Sequence, residues 1–277
     1  MLVSFVCVCY NEREDLRELL RSLDKQDYPH DLIELILIDS MSSDGSFELM
    51  LEYAKASSDF HAVQVLRNPK TILAAGANKA REVFSGECLV RVDAHTRIPE
   101  NFLSTNIEVL RENHQIVGGR VKRIPSGSSA WKYTLVAAAN SMSSVMLELG
   151  SKRLPPHGVE ELFFPCIRRD VFEMLGGFDE RLERTWEVDF FSRARKEAII
   201  VWYDPRIVSY QKVRPRFLAL MLQMYVDGFW AGKTCAIKGK IIRMHKYIPM
   251  IFLLFLLISL VYAYISGSYL AFFALLF

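Results

Sequence analysis

The chain has 277 residues, a formal net charge of +2 and 24% charged residues. That balance excludes an extended disordered chain and lacks the strong basicity of a nucleic-acid binder. The five cysteines are scattered, with neither zinc-site spacing nor a disulfide framework, which fits reduced thiols on a cytosolic face.

Residues 2–8, Leu-Val-Ser-Phe-Val-Cys-Val, are too short and lack the basic flank of a secretory leader, and read as a first buried strand. Over residues 13–24, Leu16, Leu19, Leu20 and Leu23 fall on one helical face, with Asn11 in position to cap it. An almost wholly apolar strand at 33–38 ends at Asp39 and a Ser/Asp/Gly loop, and a helix follows at 47–56. Next come a strand at 62–66, the turn Asn68-Pro69, a small-residue helix at 73–84 and a strand at 89–92. Strand and helix alternating at this rhythm predict βαβ units and a mostly parallel sheet. After a helix at 100–113 the rhythm changes. A strand at 116–124 carries Gly118-Gly119, residues 128–149 are helical and 151–165 form a loop. Helices at 168–175 and 186–196, short strands at 199–203 and 207–210, and a long apolar helix at 215–235 complete this part.

From Tyr247 to Phe277 there is no charged residue. A membrane-spanning helix needs about 20 apolar residues, and 248–265 nearly meets that length. Lys233, Lys238, Lys240, Arg243 and Lys246 precede it, as basic residues do on the cytoplasmic side of a span. The expected organisation is an α/β domain at 1–235, a basic juxtamembrane segment at 236–247 and a membrane segment, one span or a hairpin, at 248–277.

Three predicted strand ends carry polar clusters: Tyr10-Asn11-Glu12, Asp39-Ser40, and Asp93-Ala94-His95. In a parallel sheet these ends share the edge at which open α/β sheets bind ligands. Asp39 can accept hydrogen bonds from a base N–H or a ribose hydroxyl. Asp93 and His95, two residues apart in extended backbone, point to one side and can share a divalent cation. No glycine-rich dinucleotide fingerprint or P-loop is present, which disfavours those cofactor classes. Arg168-Arg169 is a candidate contact for a lipid phosphate.

In this order the motifs resemble those of family 2 glycosyltransferases of the GT-A fold, most closely the succinoglycan-type polysaccharide branch. The resemblance covers residues 1–235. It rests on Val8-Cys9-Tyr10-Asn11-Glu12, Ile38-Asp39-Ser40 with Ser43-Asp44-Gly45-Ser46, Arg91-Val92-Asp93-Ala94-His95, Gly176-Gly177-Phe178-Asp179-Glu180, and the run from Gln223 to Trp230. It implies that Tyr10, Glu12, Asp39 and Asp93 face the donor nucleotide. Asp93 and His95 then stand at the Asp-x-Asp position that holds Mn²⁺ or Mg²⁺ on the diphosphate. Gln223 and Trp230 fall on the acceptor or diphosphate side. The Arg of the corresponding motif is replaced by Val226-Asp227, a departure that weighs against processive synthesis. The family's Glu-Asp pair aligns with Trp186-Glu187, which makes Glu187 the candidate base and Asp189 the alternative. The implied activity is inverting transfer of a sugar from a nucleotide-diphosphate sugar, a UDP-sugar, to a glycan or lipid-linked acceptor. Exopolysaccharide or lipopolysaccharide assembly at the inner membrane, with the catalytic domain on the cytoplasmic side, is the expected setting. The altered base position leaves a catalytically impaired, nucleotide-sugar-binding scaffold of the same fold as the alternative. A nucleotidyltransferase is disfavoured by the apolar tail and by Gly177-Phe178-Asp179-Glu180.

Overall fold

A computed structural model describes residues 1–125, 133–134, 136–137, 155–213, 217–239 and 248–266. The helix expected at 128–149 and the basic segment at 236–247 lie largely outside these residues, as do residues 267–277 of the expected membrane segment. The chain divides into two compact units, Met1–Trp230 and Ala231–Phe277.

The first unit opens with β1 (Val3–Cys9), α1 (Arg13–Leu23), β2 (Ile33–Asp39), α2 (Ser46–Ala56), β3 (Ala62–Arg67), α3 (Leu73–Val83) and β4 (Cys88–Asp93). These follow the predicted order to within a residue or two at each end. The short β5 (Thr96–Arg97), α4 (Phe102–Arg111), β6 (Ile116–Pro125), β7 (His157–Val159), β8 (Cys166–Arg168), α5 (Arg169–Leu175), α6 (Trp186–Lys196) and β9 (Val201–Val213) follow. Then come α7 (Phe217–Lys238) and, in the second unit, α8 (Ile248–Ser266).

Among the described residues one nine-stranded sheet runs β3-β2-β1-β4-β8-β6-β9-β5, with β7 beside β9. Strands β3, β2, β1 and β4 are parallel to one another. β8 is antiparallel to β4 and to β6, and β6 is parallel to β9. The sheet is therefore mixed, whereas the strand–helix rhythm predicted a mostly parallel one. The parallel half comes from βαβ repetition, and the other half is built by strands whose neighbours are distant in sequence.

Alternation along β1 divides the core. Val3, Phe5, Cys7 and Cys9 pack with Leu16, Leu19 and Leu23 of α1, Met50 of α2 and Phe102 of α4. Val6 and Val8 face the other way, onto Ala80 of α3, Val171 and Phe172 of α5, and Phe190, Phe191 and Ala194 of α6. Helices thus cover both faces, and the central strands are buried along their whole length. The Cys7 and Cys9 side chains lie in this core.

Three expectations are corrected. Asn11 does not cap α1. It adopts φ +52°, a left-handed conformation that Asn tolerates, and its Oδ1 accepts from the Ser43 amide at 2.8 Å. The first-turn N–H of Arg13 goes instead to Asp44 Oδ2 at 2.9 Å. Residues 151–165 are not all loop where described, because His157–Val159 pairs with β9. The two short strands expected at 199–203 and 207–210 are one strand, β9, continuous through Asp204-Pro205-Arg206. The β6–β9 register shifts between Gly118 and Arg120, which absorbs the extra residues opposite. A Cβ on Gly119 would come within 2.0 Å of the Ile207 carbonyl oxygen, so only glycine fits this crossing.

α8 carries no acidic or basic residue in its terminal turns, and its Leu254, Phe255, Leu257, Ile258, Tyr264 and Ile265 are exposed. Among the described residues, no helix is long and apolar enough to cross a membrane, so the span expected within 248–277 is not supported.

Candidate active site

The parallel strands bring the motifs together. In the sheet register Cys9 of β1 pairs with Asp39 of β2, and Val8 pairs with Asp93 of β4. The two aspartates therefore flank the carboxyl end of β1, directly before Tyr10-Asn11-Glu12. Tyr10 is exposed. The Asp39 carboxylate is buried and receives the Ser42 amide at 3.2 Å on each oxygen, with Arg67 Nη1 at 3.8 Å. Asp44 braces the adjoining loop by accepting from Arg13, the Ser46 amide and the Ser46 hydroxyl. Burial opposes the charge of Asp44, but these hydrogen bonds outweigh it and hold its carboxyl below the usual range.

Asp93 and His95 engage different neighbours. Arg91 Nη1 donates to Asp93 Oδ1 at 2.6 Å. His95 Nδ1 lies 3.3 Å from Glu12, and its Nε2 lies 3.1 Å from Gln211 Nε2. The imidazole is thus held from both sides, by Glu12 at Nδ1 and by the Gln211 side-chain amide at Nε2. A cation on Nε2 would take the place of the Gln211 contact, with Glu12 on Nδ1 as the carboxylate that usually supports a metal-binding imidazole from its far nitrogen. β5 is held in place because Thr96 pairs with Gln211 in β9, and Arg97 and Lys212 both engage Glu18 of α1. Among the described residues no three His, Cys, Asp or Glu side chains converge on one point. Mg²⁺ and Mn²⁺ commonly complete their shells with substrate phosphates and water, so one carboxylate and one imidazole fit such an ion.

Glu187 joins this edge through Arg91, whose Nη2 donates to Glu187 Oε1 at 2.8 Å. Arg91 is 6% exposed and lies 5.0 Å over the Trp186 ring. Burial disfavours its charge, but Glu187 and Asp93 outweigh that and keep it firmly protonated. Glu187 retains 25% of its side-chain exposure. Burial pushes its carboxyl above the ordinary glutamate value, Arg91 opposes that, and the nearby Asp93 charge adds to the rise.

Asp189 points elsewhere. It is 3% exposed, accepts from Arg193 Nε at 3.0 Å, and Arg193 donates in turn to the Leu175 and Gly177 carbonyls. The pair clamps α6 to the Gly176-Gly177 turn. Asn78 of α3 holds the same turn from the other side, at Phe178 and Glu180. Trp230 is buried, Asp227 pairs with Arg184 at 3.1 Å, and the side chain of Gln223 lies outside the described residues. Arg169 is structural, since it donates to the Gly86 and Phe84 carbonyls. Cys166 is fully buried and its thiol is pushed up by the Cys88 contact and by burial, which makes it inert.

Arg91 and Gln211 join the site only in the folded structure. Arg91 had a signal, because an arginine at an interior position of an apolar strand needs buried partners. Gln211 had none, since its contact with His95 exists only through the β5–β9 pairing.

A helix-flanked mixed sheet with acidic residues at adjacent strand ends is the GT-A-type α/β fold of sugar-transferring enzymes. Residues 4–176 match the model of Glycosyl transferase family 2, and the chain belongs to that family. It is 24% identical over 234 residues to the succinoglycan biosynthesis protein ExoA of Rhizobium meliloti, covering 83% of this chain and 68% of that protein. In fold it is similar to the mannosyltransferase PcManGT from Pyrobaculum calidifontis, solved in complex with GDP-Man and Mn²⁺. That match has a TM-score of 0.58 and 21% identity, covering 78% of this chain and 58% of that one. It is also similar to residues 1–349 of S. aureus TarS in complex with UDP-GlcNAc, with a TM-score of 0.58 and 17% identity, covering 77% and 59%. The chain thus spans less than two thirds of those two solved chains.

Proposed function

We propose that this chain is an inverting, metal-dependent glycosyltransferase. It moves a sugar from a nucleoside-diphosphate donor, a UDP-sugar, to a glycan or lipid-linked acceptor in cell-surface polysaccharide assembly. The observation that carries this reading is the guanidinium of Arg91, which ties the strand-end carboxylate Asp93 to Glu187 at one sheet edge. The similarity to ExoA supports the polysaccharide setting. The exposed apolar side chains of α8 support a membrane-associated second unit.

In this mechanism Tyr10, Glu12 and Asp39 hold the nucleoside. A divalent cation, held by Asp93 and His95, would offset diphosphate charge. Glu187 accepts the acceptor hydroxyl proton, for which its raised proton affinity suits it. The acceptor oxygen bonds to the anomeric carbon from the face opposite the nucleotide. The bond from that carbon to the diphosphate oxygen breaks, its electron pair leaves with the diphosphate, and the configuration inverts. Asp189, committed to Arg193, positions α6.

The test is a panel of UDP-, GDP- and other nucleotide sugars incubated with the full chain and Mn²⁺, scored for slow hydrolysis. Metal-dependent release of the nucleotide from one donor supports the enzyme. Tight donor binding without turnover, with or without candidate acceptors, would favour the catalytically impaired scaffold.

A further inference from the structure

We propose that Arg91 is a positioning residue that couples occupancy of the donor site to the aim of the base, an inference that rests on the glycosyltransferase reading above. One planar guanidinium spans both groups, with Nη1 at 2.6 Å from Asp93 and Nη2 at 2.8 Å from Glu187. Its side chain is 7% exposed, while the two carboxylates keep 22% and 25% of theirs. The cation is thus the buried hub, and the carboxylates are the parts that reach the site.

The hub is held in a fixed plane. Arg91 extends from β4, between Val90 and Val92, which are both fully buried. Its guanidinium lies over Trp186, which packs edge-on against Phe178 at 4.5 Å between ring centroids. An apolar pocket lined by Val6, Leu89, Phe178, Phe190 and Phe191 borders Arg91 and Glu187. Water therefore competes weakly for the guanidinium, and its two carboxylate bonds fix its orientation.

The arrangement has a direct consequence. Asp93 is the residue that meets the charged end of the donor. When Asp93 turns to the donor side, the fork loses one anchor and Glu187 becomes its sole carboxylate partner. Glu187 is then held by an undivided charge once the donor is in place. Lysine cannot reproduce this, because one ammonium lacks the two parallel donors of the fork. Glutamate is also the length that reaches. An aspartate at this position would end one methylene short of the 2.8 Å contact with Nη2.

The experiment is a double-mutant cycle of Arg91→Lys and Glu187→Asp in the full chain, using the donor found by the hydrolysis panel. For each variant, kcat, donor KM and the donor Kd by calorimetry with Mg²⁺ are measured, and circular dichroism checks the fold. Arg91→Lys is expected to lower kcat about 100-fold, as a misplaced catalytic group does, with donor Kd within about threefold. In the Glu187→Asp background, where the contact is already lost, Arg91→Lys is expected to cost almost nothing further in kcat. Trp186 fluorescence gives a second readout. Donor with Mg²⁺ should change it in the parent chain and not in Arg91→Lys, with Trp186→Phe identifying the signal. A raised Kd with unchanged kcat, or additive losses in the cycle, would overturn the proposal. If the parent chain turns over no donor, it is the glycosyltransferase reading that fails. The fluorescence arm still reports whether donor occupancy reaches Arg91.

Discussion

Arg91 Nη2 lies 2.8 Å from Glu187 Oε1, although 96 positions separate the two residues in the chain. This contact draws α6 to the carboxyl end of β4. It also separates Glu187 from Asp189, whose carboxylate is turned into the structure against Arg193.

That separation makes the two acidic residues of α6 respond differently to substitution. Glu187→Gln should lower kcat by about 10²–10⁴-fold, the usual contribution of a general base, with donor affinity nearly unchanged. Asp189→Asn should chiefly destabilise, by about 2 kcal/mol, since it weakens a charged hydrogen bond in a nearly buried pair. Steady-state kinetics and urea unfolding on both variants check this. Full turnover in Glu187→Gln together with a dead but stable Asp189→Asn would reverse the roles.

The pH dependence follows from the raised carboxyl of Glu187. Burial favours its neutral form, and the Asp93 charge adds to that effect. A base works only when deprotonated, so with Glu187 in that role kcat/KM should fall as pH drops through a value above the ordinary glutamate pKa. For stability the sign is opposite to that of a carboxylate held low. The native state binds the proton more tightly than the unfolded chain, so this group adds stability as pH falls through its folded value. A pH–rate profile whose acid limb lies at or below the ordinary glutamate value would contradict the assignment.

Metal affinity offers a test that needs no substrate. Glu12 orients His95 through Nδ1, so Glu12→Gln should weaken Mn²⁺ binding about 10- to 100-fold, as loss of such a supporting carboxylate does. Asp93→Ala should weaken it at least as much. Titration of nucleotide-free protein, followed by the paramagnetic relaxation of water, measures both. Unchanged Mn²⁺ affinity in Asp93→Ala would place the ion elsewhere.

Gly119 tests the fold apart from the chemistry. A methyl there would collide with the Ile207 backbone at the register shift between β6 and β9. Gly119→Ala should cost about 4 kcal/mol, at the severe end for a single substitution. Gly228→Ala, whose Cβ would meet nothing within 4 Å, is the control. Equal melting temperatures for the two variants would show that the crossing relaxes easily.

Much of the first half was legible because its signals are local. The leucine face of α1 and the apolar runs of β1, β2 and β4 state their structure through periodicity and burial on both sides. β7 and β8 were not legible, since each has three residues and becomes a strand only by pairing. The sequence predicts two short strands where β9 is one, with Pro205 in its middle. It stays continuous because Asp204 is fully buried and bound by Arg206, which also reaches Glu108 and Glu112 near the end of α4.

By itself the sequence determined the strand–helix order, the helix faces and the three polar strand ends, because these depend on residues close together in the chain. Only the tertiary structure decided that Asp93 and His95 answer to different partners, that Asp189 faces the core, and that Arg91 joins Asp93 to Glu187. Those relations depend on sheet order and on which buried charge is nearest. In a low-dielectric interior a charge takes its partner from whatever the fold brings within hydrogen-bond reach, and no local pattern encodes that choice.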